Sequence, residues 1–246
     1  MTAMLGMYDV PQLAGANDRF WAAIRSELGE GPEALERGRD FWEIWRDPDM
    51  VLSQTCGMPY RTALHGQVRL VGTPDYGLPG CAPGYYNSVI IARADAPGDT
   101  MANFSGQRLG YNDPVSQSGW AAPMTHARRQ NARFDQLVET GGHMASATAV
   151  AEGSADIAGI DALTWALIQQ FQPLARQLRE VERTEPTPGL PYITAWRRDP
   201  VPIRSAVENA INALSREDRE LLHLRGLVQI PDSAYLAIPT PPGPRS

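Results

Sequence analysis

Short β-like runs alternate with segments of helical periodicity along nearly the whole chain, and this alternation is the tightest constraint on the fold. Residues 3–8 read as a buried strand that ends at Asp9-Val10-Pro11, and Phe20, Trp21, Ile24 and Leu28 then recur at helical spacing. A second helix is expected over 33–46, with Phe41, Trp42 and Trp45 on its apolar side and Asp47-Pro48-Asp49 as its stop. Strands follow at 50–53 and 67–72, and the longest clean β signal runs from Tyr85 to Asp95, centred on Val89, Ile90 and Ile91. The pattern then restarts: strands at 108–111, 135–140, 155–160 and 178–183 are separated by helices at 116–133, 143–152 and 161–171. Strands spaced by helices make parallel pairs with right-handed crossovers, so the chain is an α/β protein. Residues 184–189 form a Pro-rich linker, 190–197 a further strand, and 201–214 and 216–225 the last helices. The tail 239–246 is expected not to order.

A length of 246 residues suits one large domain or two of roughly 120. The net charge of −6 argues against nucleic acid or an anionic membrane as partner, because either needs a positive face. All 22 cationic residues are arginine, which removes Schiff-base and phosphate-loop lysine chemistry. No apolar run approaches the roughly 18 residues of a membrane span. Met1–Tyr8 has no basic segment, long apolar stretch or lipid-accepting cysteine; the chain as written reads as cytoplasmic, and as periplasmic if a leader has been removed. Cys56 and Cys81 each lie in a Gly/Pro-containing loop and either pair or sit as small apolar groups. Four histidines without HxxxH or HExxH spacing give no zinc site, and nothing calls for a cofactor.

Parallel sheets bind ligands at the carboxyl ends of their strands. Polar loops of small residues follow Leu52, Tyr111 and Thr140. The most informative is Tyr111-Asn112-Asp113-Pro114-Val115-Ser116-Gln117-Ser118-Gly119-Trp120: Pro114 ends the strand and Ser-Gln-Ser-Gly opens a helix. Open amides at a helix start, with two hydroxyls beside them, can cradle a tetrahedral anion; a plain serine cap is the alternative. In Thr140-Gly141-Gly142-His143, the imidazole opens another helix, where it can donate to an oxyanion or serve as a capping residue. Asp161, after Ala155-Asp156-Ile157-Ala158-Gly159-Ile160, either receives a donor from a ligand or, more simply, caps its own helix.

The ordered set NDPxSxSG, GGH with an alanine-rich helix, ADIAxID, and GYYxSVIIxRAD before them resembles the phosphate/phosphite/phosphonate substrate-binding proteins of ABC transporters, over about Asp49 to Arg197. That resemblance implies the type II periplasmic-binding-protein fold: two lobes, each a mostly parallel sheet flanked by helices, joined by two crossover segments with the ligand in a cleft. The lobes would be 1–90 plus 191–246, and 91–190. It implies a small oxyanion held by Ser116, Gln117 and Ser118, faced by His143 and approached by Tyr85, with Tyr8, Gln54, Thr55 and Asp161 as further contacts. A monomeric binding protein, with a permease as partner, would follow. Departures exist: Gln117 replaces a hydroxyl common at the middle of the cradle, and the first-lobe loop Ser53-Gln54-Thr55-Cys56 lacks an aromatic often seen there. Leu163 and Leu190 fall near places where relatives that take amine-bearing phosphonates put carboxylates, which disfavours an ammonium-bearing ligand.

Two other classes compete. A cytoplasmic enzyme of the same fold, similar to chorismate dehydratase, would use His143 or Asp161 as base on a small carboxylate, yet no activated nucleophile or paired carboxylates are visible. An effector-sensing module that binds a partner protein would show an exposed apolar patch.

Overall fold

The computed structural model describes residues 1–244. In chain order it forms β1 (Thr2–Met4), α1 (Ala14–Leu28), α2 (Phe41–Trp45), β2 (Met50–Gln54), α3 (Gly57–Pro59), β3 (Val68–Asp75), β4 (Tyr85–Tyr86), β5 (Ser88–Arg93) and β6 (Arg108–Tyr111). It continues with α4 (Ala122–Arg129), β7 (Gln136–Glu139), α5 (His143–Ala151), β8 (Ile157–Asp161), α6 (Ala162–Phe171), β9 (Leu178–Arg183) and β10 (Thr187–Pro188). Last come β11 (Tyr192–Ala195), α7 (Pro200–Ala213), α8 (Arg216–Leu221), β12 (Gly226–Val228) and α9 (Asp232–Leu236). Among the described residues no helix is long and apolar enough to cross a membrane.

Two units divide the chain: Met1–Tyr85 with Pro188–Ala237, and Tyr86–Thr187 with the segment from Ile238 onward. The chain passes between them three times, and the first two crossings fall a few residues earlier than the 90/91 and 190/191 expected from the sequence. A cut at residue 90 would split β5, whose residues pair with strands on both sides. The tail also differs from its expectation. Residues 239–244 belong with the second unit, Pro241 is buried, and the Trp120 indole N–H donates to the Pro242 carbonyl at 3.2 Å. Proline's fixed φ lowers the entropy lost on ordering such a segment. Residues 245 and 246 lie outside the described residues.

The first unit's sheet has the order β1-β2-β11-β3-β12. β1 and β2 are parallel, whereas β11 runs against both β2 and β3. Met4, Ile44, Trp45, Met50, Tyr60, Leu64 and Ile193 form part of its core. Helix is confined to 41–45 of the expected 33–46, opening at Asp40, whose carboxylate accepts the Trp42 N–H at 2.8 Å. The preceding residues lie along the sheet edge instead, where the Glu36 N–H donates to the Ala3 carbonyl at 2.8 Å. Cys56 and Cys81 form no disulfide.

The second unit's sheet has the order β7-β6-β8-β5-β9. β7, β6 and β8 are mutually parallel, and β5 runs against β8 and β9. β5 in the second unit, and β11 and β12 in the first, run against their neighbours, so both sheets are mixed. Ile90, Phe104, Leu109, Phe134 and Ile157 lie in the core. From β6 the chain goes to β7 on one side; from β8 it goes to β9 on the other. The carboxyl ends of β6 and β8 therefore flank a topological switch point, the place where open α/β sheets hold ligands.

Candidate functional site

Beyond the end of β6, Asn112-Asp113-Pro114 turns the chain, and the Asp113 carboxylate accepts the Val115 N–H at 2.7 Å. Ser116 caps the next helix, its Oγ accepting the Gly119 N–H at 3.0 Å. That helix opens as a wide π-turn, Gln117–Ala121, and continues as α4. Close packing requires glycine at 119, where a Cβ would come within 1.7 Å of Asn112 Oδ1. Ser116, Gln117 and Ser118 are all buried. The first amides of a helix have no acceptor behind them, and the helix dipole adds roughly 0.3–1 kcal/mol for a negative charge placed there.

His143 opens α5, and its Nε2 lies 2.9 Å from Ser118 Oγ. The two motifs the sequence singled out therefore meet. Burial pushes the imidazole down to about 4, against an opposing effect of the Gly159 carbonyl. The ring is neutral at physiological pH and presents one donor and one acceptor nitrogen. With the hydrogen on Nε2, His143 donates to Ser118 and leaves the serine O–H for a ligand; with it on Nδ1, Nε2 accepts the serine O–H instead. Gly159 makes room for this arrangement, since a Cβ there would lie 2.3 Å from Pro123 Cγ and 3.1 Å from the Ser118 carbonyl oxygen.

Asp161 Oδ1 accepts the Leu163 and Thr164 N–H groups at 2.9 and 3.0 Å, so this carboxylate caps α6, the simpler of its two readings. Gln117 borders a cavity of about 100 Å3, together with Thr125, His126, Arg129 and Thr184, that neither Ser118 nor His143 lines. In the first unit, the Gln54 amide nitrogen donates to Tyr76 Oη at 3.0 Å and to the Leu190 carbonyl at 3.1 Å. Thr55 is buried and donates its N–H to the Pro191 carbonyl at 3.1 Å. The Tyr8 ring meets Tyr76 edge-on at 5.3 Å, and Tyr85 packs, partly buried, against the first unit's core.

Three residues at the second unit's rim are not among the expected contacts, although Ser88 and Asn112 stand within the motifs GYYxSVIIxRAD and NDPxSxSG. Asn87 Oδ1, Ser88 Oγ and Asn112 Oδ1 are buried and meet no partner among the described residues. Leaving such a group unpaired costs about 1–3 kcal/mol, and native folds tolerate few of them. The available signal was a polar Asn-Ser pair opening the otherwise apolar strand Val89-Ile90-Ile91.

The family model described as the ABC transporter, phosphonate, periplasmic substrate-binding protein matches residues 52–235. Among curated proteins there is no match. Solved structures share the fold. PhnD1 from Prochlorococcus marinus, in complex with methylphosphonate, superposes with a TM-score of 0.76 at 12% identity, over 95% of this chain and 93% of that one. A binding protein component of an ABC phosphonate transporter from Pseudomonas aeruginosa gives 0.70 at 18% identity, over 96% and 82%. A Xanthomonas citri protein bound to chloride ion gives 0.65 at 15% identity, over 92% and 90%. Identities this low speak to the fold alone; the family rests on the sequence model, which spans most of the chain. The chain belongs to the periplasmic substrate-binding proteins of phosphonate ABC transporters, a family of binding proteins rather than enzymes, whose members serve a small ligand and a permease.

Proposed function

We propose that this protein binds a small tetrahedral oxyanion, namely phosphate, phosphite or a simple phosphonate, for ABC-type uptake or for sensing in the periplasm. The observation that carries this reading is the Ser118–His143 pair at the start of a helix, beside a topological switch point. Each component is a neutral donor: a hydroxyl backed by an uncharged imidazole, and helix-start amides. Hydrogen bonds from such donors to a charged oxygen contribute about 1.5–3 kcal/mol each. A tetrahedral anion can take several at once. Leu163 and Leu190 are buried apolar side chains, which supports a ligand without an ammonium group. Methylphosphonate, the molecule in complex with PhnD1 from Prochlorococcus marinus, is a natural first candidate.

Titration calorimetry of the full chain with phosphate, phosphite and methylphosphonate tests the proposal. At least one should bind and raise the melting temperature, since a ligand that binds the native state stabilises it. Ser118→Ala should weaken that ligand roughly 10- to 100-fold. Ser118 is the cleaner probe, because Ser116→Ala also removes a helix cap. Silence toward all three anions, or full affinity in Ser118→Ala, would sink the proposal.

A further inference from the structure

Asn87 and Ser88 stand at the same rim as the cradle, between the crossing strand β4 and the body of β5. Their side chains are 5% and 1% exposed. Their main chains are firmly held. The Ala162 N–H donates to the Asn87 carbonyl at 3.1 Å, the Ser88 N–H donates to Thr184 Oγ1 at 3.0 Å, and the Thr184 N–H donates to the Ser88 carbonyl at 2.9 Å. Yet Asn87 Oδ1 and Ser88 Oγ have no partner among the described residues. Rigid backbone with uncommitted polar ends is an arrangement that folding alone does not favour. Alanine at 88 would leave the ladder intact and remove an unsatisfied hydroxyl.

Position strengthens the case. Ser88 pairs directly with Asp161 across the β5–β8 ladder, so the two side chains share a face of the sheet. Asp161 is the last residue of β8, one of the two strands whose carboxyl ends flank the switch point. We propose that Asn87 and Ser88 are additional ligand-contact residues that set specificity, a carboxamide and a hydroxyl able to donate to one oxyanion oxygen and to accept from a protonated one. Such groups favour an anion carrying a P–OH over one with no donor of its own, such as sulfate. This inference rests on the proposed oxyanion site, which supplies the ligand these groups would meet.

The experiment pairs affinity with stability. Wild type, Ser88→Ala and Asn87→Leu are titrated with phosphate, methylphosphonate and sulfate, and the melting temperature of each ligand-free protein is recorded. Each variant should bind phosphate or methylphosphonate about tenfold more weakly while its melting temperature holds or rises, a combination that a purely structural polar group would not give. Wild type should prefer both phosphorus anions to sulfate, and the variants should narrow that preference. Affinities within twofold of wild type, or a lower melting temperature with unchanged affinity, would overturn the assignment while leaving the Ser118 site standing. If wild type binds neither phosphorus anion, the oxyanion reading itself fails and this inference falls with it.

Discussion

At the carboxyl ends of their strands the two units differ in how many buried polar groups are left without an internal partner among the described residues. In the first unit those groups satisfy one another: Gln54 reaches Tyr76 and Leu190, and Thr73 Oγ1 meets Tyr235 Oη at 2.6 Å. In the second, Ser118 and His143 hold each other at a helix start, while Asn87, Ser88 and Asn112 carry buried oxygens with no partner among the described residues. Internally satisfied networks make a rigid scaffold; uncommitted buried groups carry a stability cost that a ligand can offset. The sequence already centres the expected oxyanion contacts on Ser116, Gln117, Ser118 and His143 of the second unit, with Gln54 and Thr55 as first-unit contacts. Ser53 Oγ is an exception, a buried hydroxyl of the first unit that also lacks a partner.

The widest difference should appear in acid. An imidazole whose pKa is lowered by folding takes up its proton more readily in the unfolded chain, so its stabilising effect is complete above about 6.5 and is lost as the pH falls toward 4. For His143 that loss is about 3 kcal/mol. Urea unfolding at pH 7 and pH 4 should show wild type losing about that much more than His143→Gln, which keeps a hydrogen-bonding group near Ser118. His223, in the first unit, is also pushed down by burial and by Arg225, but less far, so His223→Gln should remove a smaller share. A larger effect from His223 would reverse the contrast between the units.

Next in size is a test of the scaffold rim. Gln54→Leu keeps the volume and removes both amide hydrogen bonds, leaving Tyr76 Oη and the Leu190 carbonyl without that donor. The expected cost is about 1–3 kcal/mol of stability, with oxyanion affinity within threefold of wild type by calorimetry. A tenfold loss of affinity at unchanged stability would place Gln54 in the binding machinery and erase the contrast.

The residues that were readable share one property: their signal is local. Pro114 followed by Ser-Gln-Ser-Gly specifies a strand stop and a helix start within a few positions, and Gly142-His143 does the same for α5. Both are observed at those positions. What is not legible in the sequence depends on distant partners. Gln54 looks like a loop donor until its acceptor 136 residues away is known. Residues 33–40 have helical composition, but the edge of β1 offers them a backbone acceptor at Ala3. Strand direction is likewise invisible to periodicity, since Val89-Ile90-Ile91 reads the same whichever way its neighbours run. β5, β11 and β12 are reversed relative to their neighbours, which nothing in their local patterns announces.

The smallest expected effect concerns the tail. It packs on the second unit behind the cradle turn, where the Trp120 indole donates to Pro242 and the ring lies 5.2 Å from that of Tyr111. Deleting residues 238–246 removes that acceptor and uncovers the neighbourhood of Pro241, which is buried in the intact chain. One neutral hydrogen bond contributes about 1 kcal/mol, so the melting temperature should fall by about 2–4 °C. Trp120 shares its turn with Ser118, and the tail's covering should therefore matter more to the cradle than to the first unit. Hydrogen exchange resolves this directly: amides of 117–122 should exchange faster in the truncated protein, while those of β2 and β3 stay as they were. Faster exchange in β2 and β3 with none at 117–122 would mean that the segment supports the scaffold instead, and its packing on Trp120 would then have no bearing on the oxyanion site.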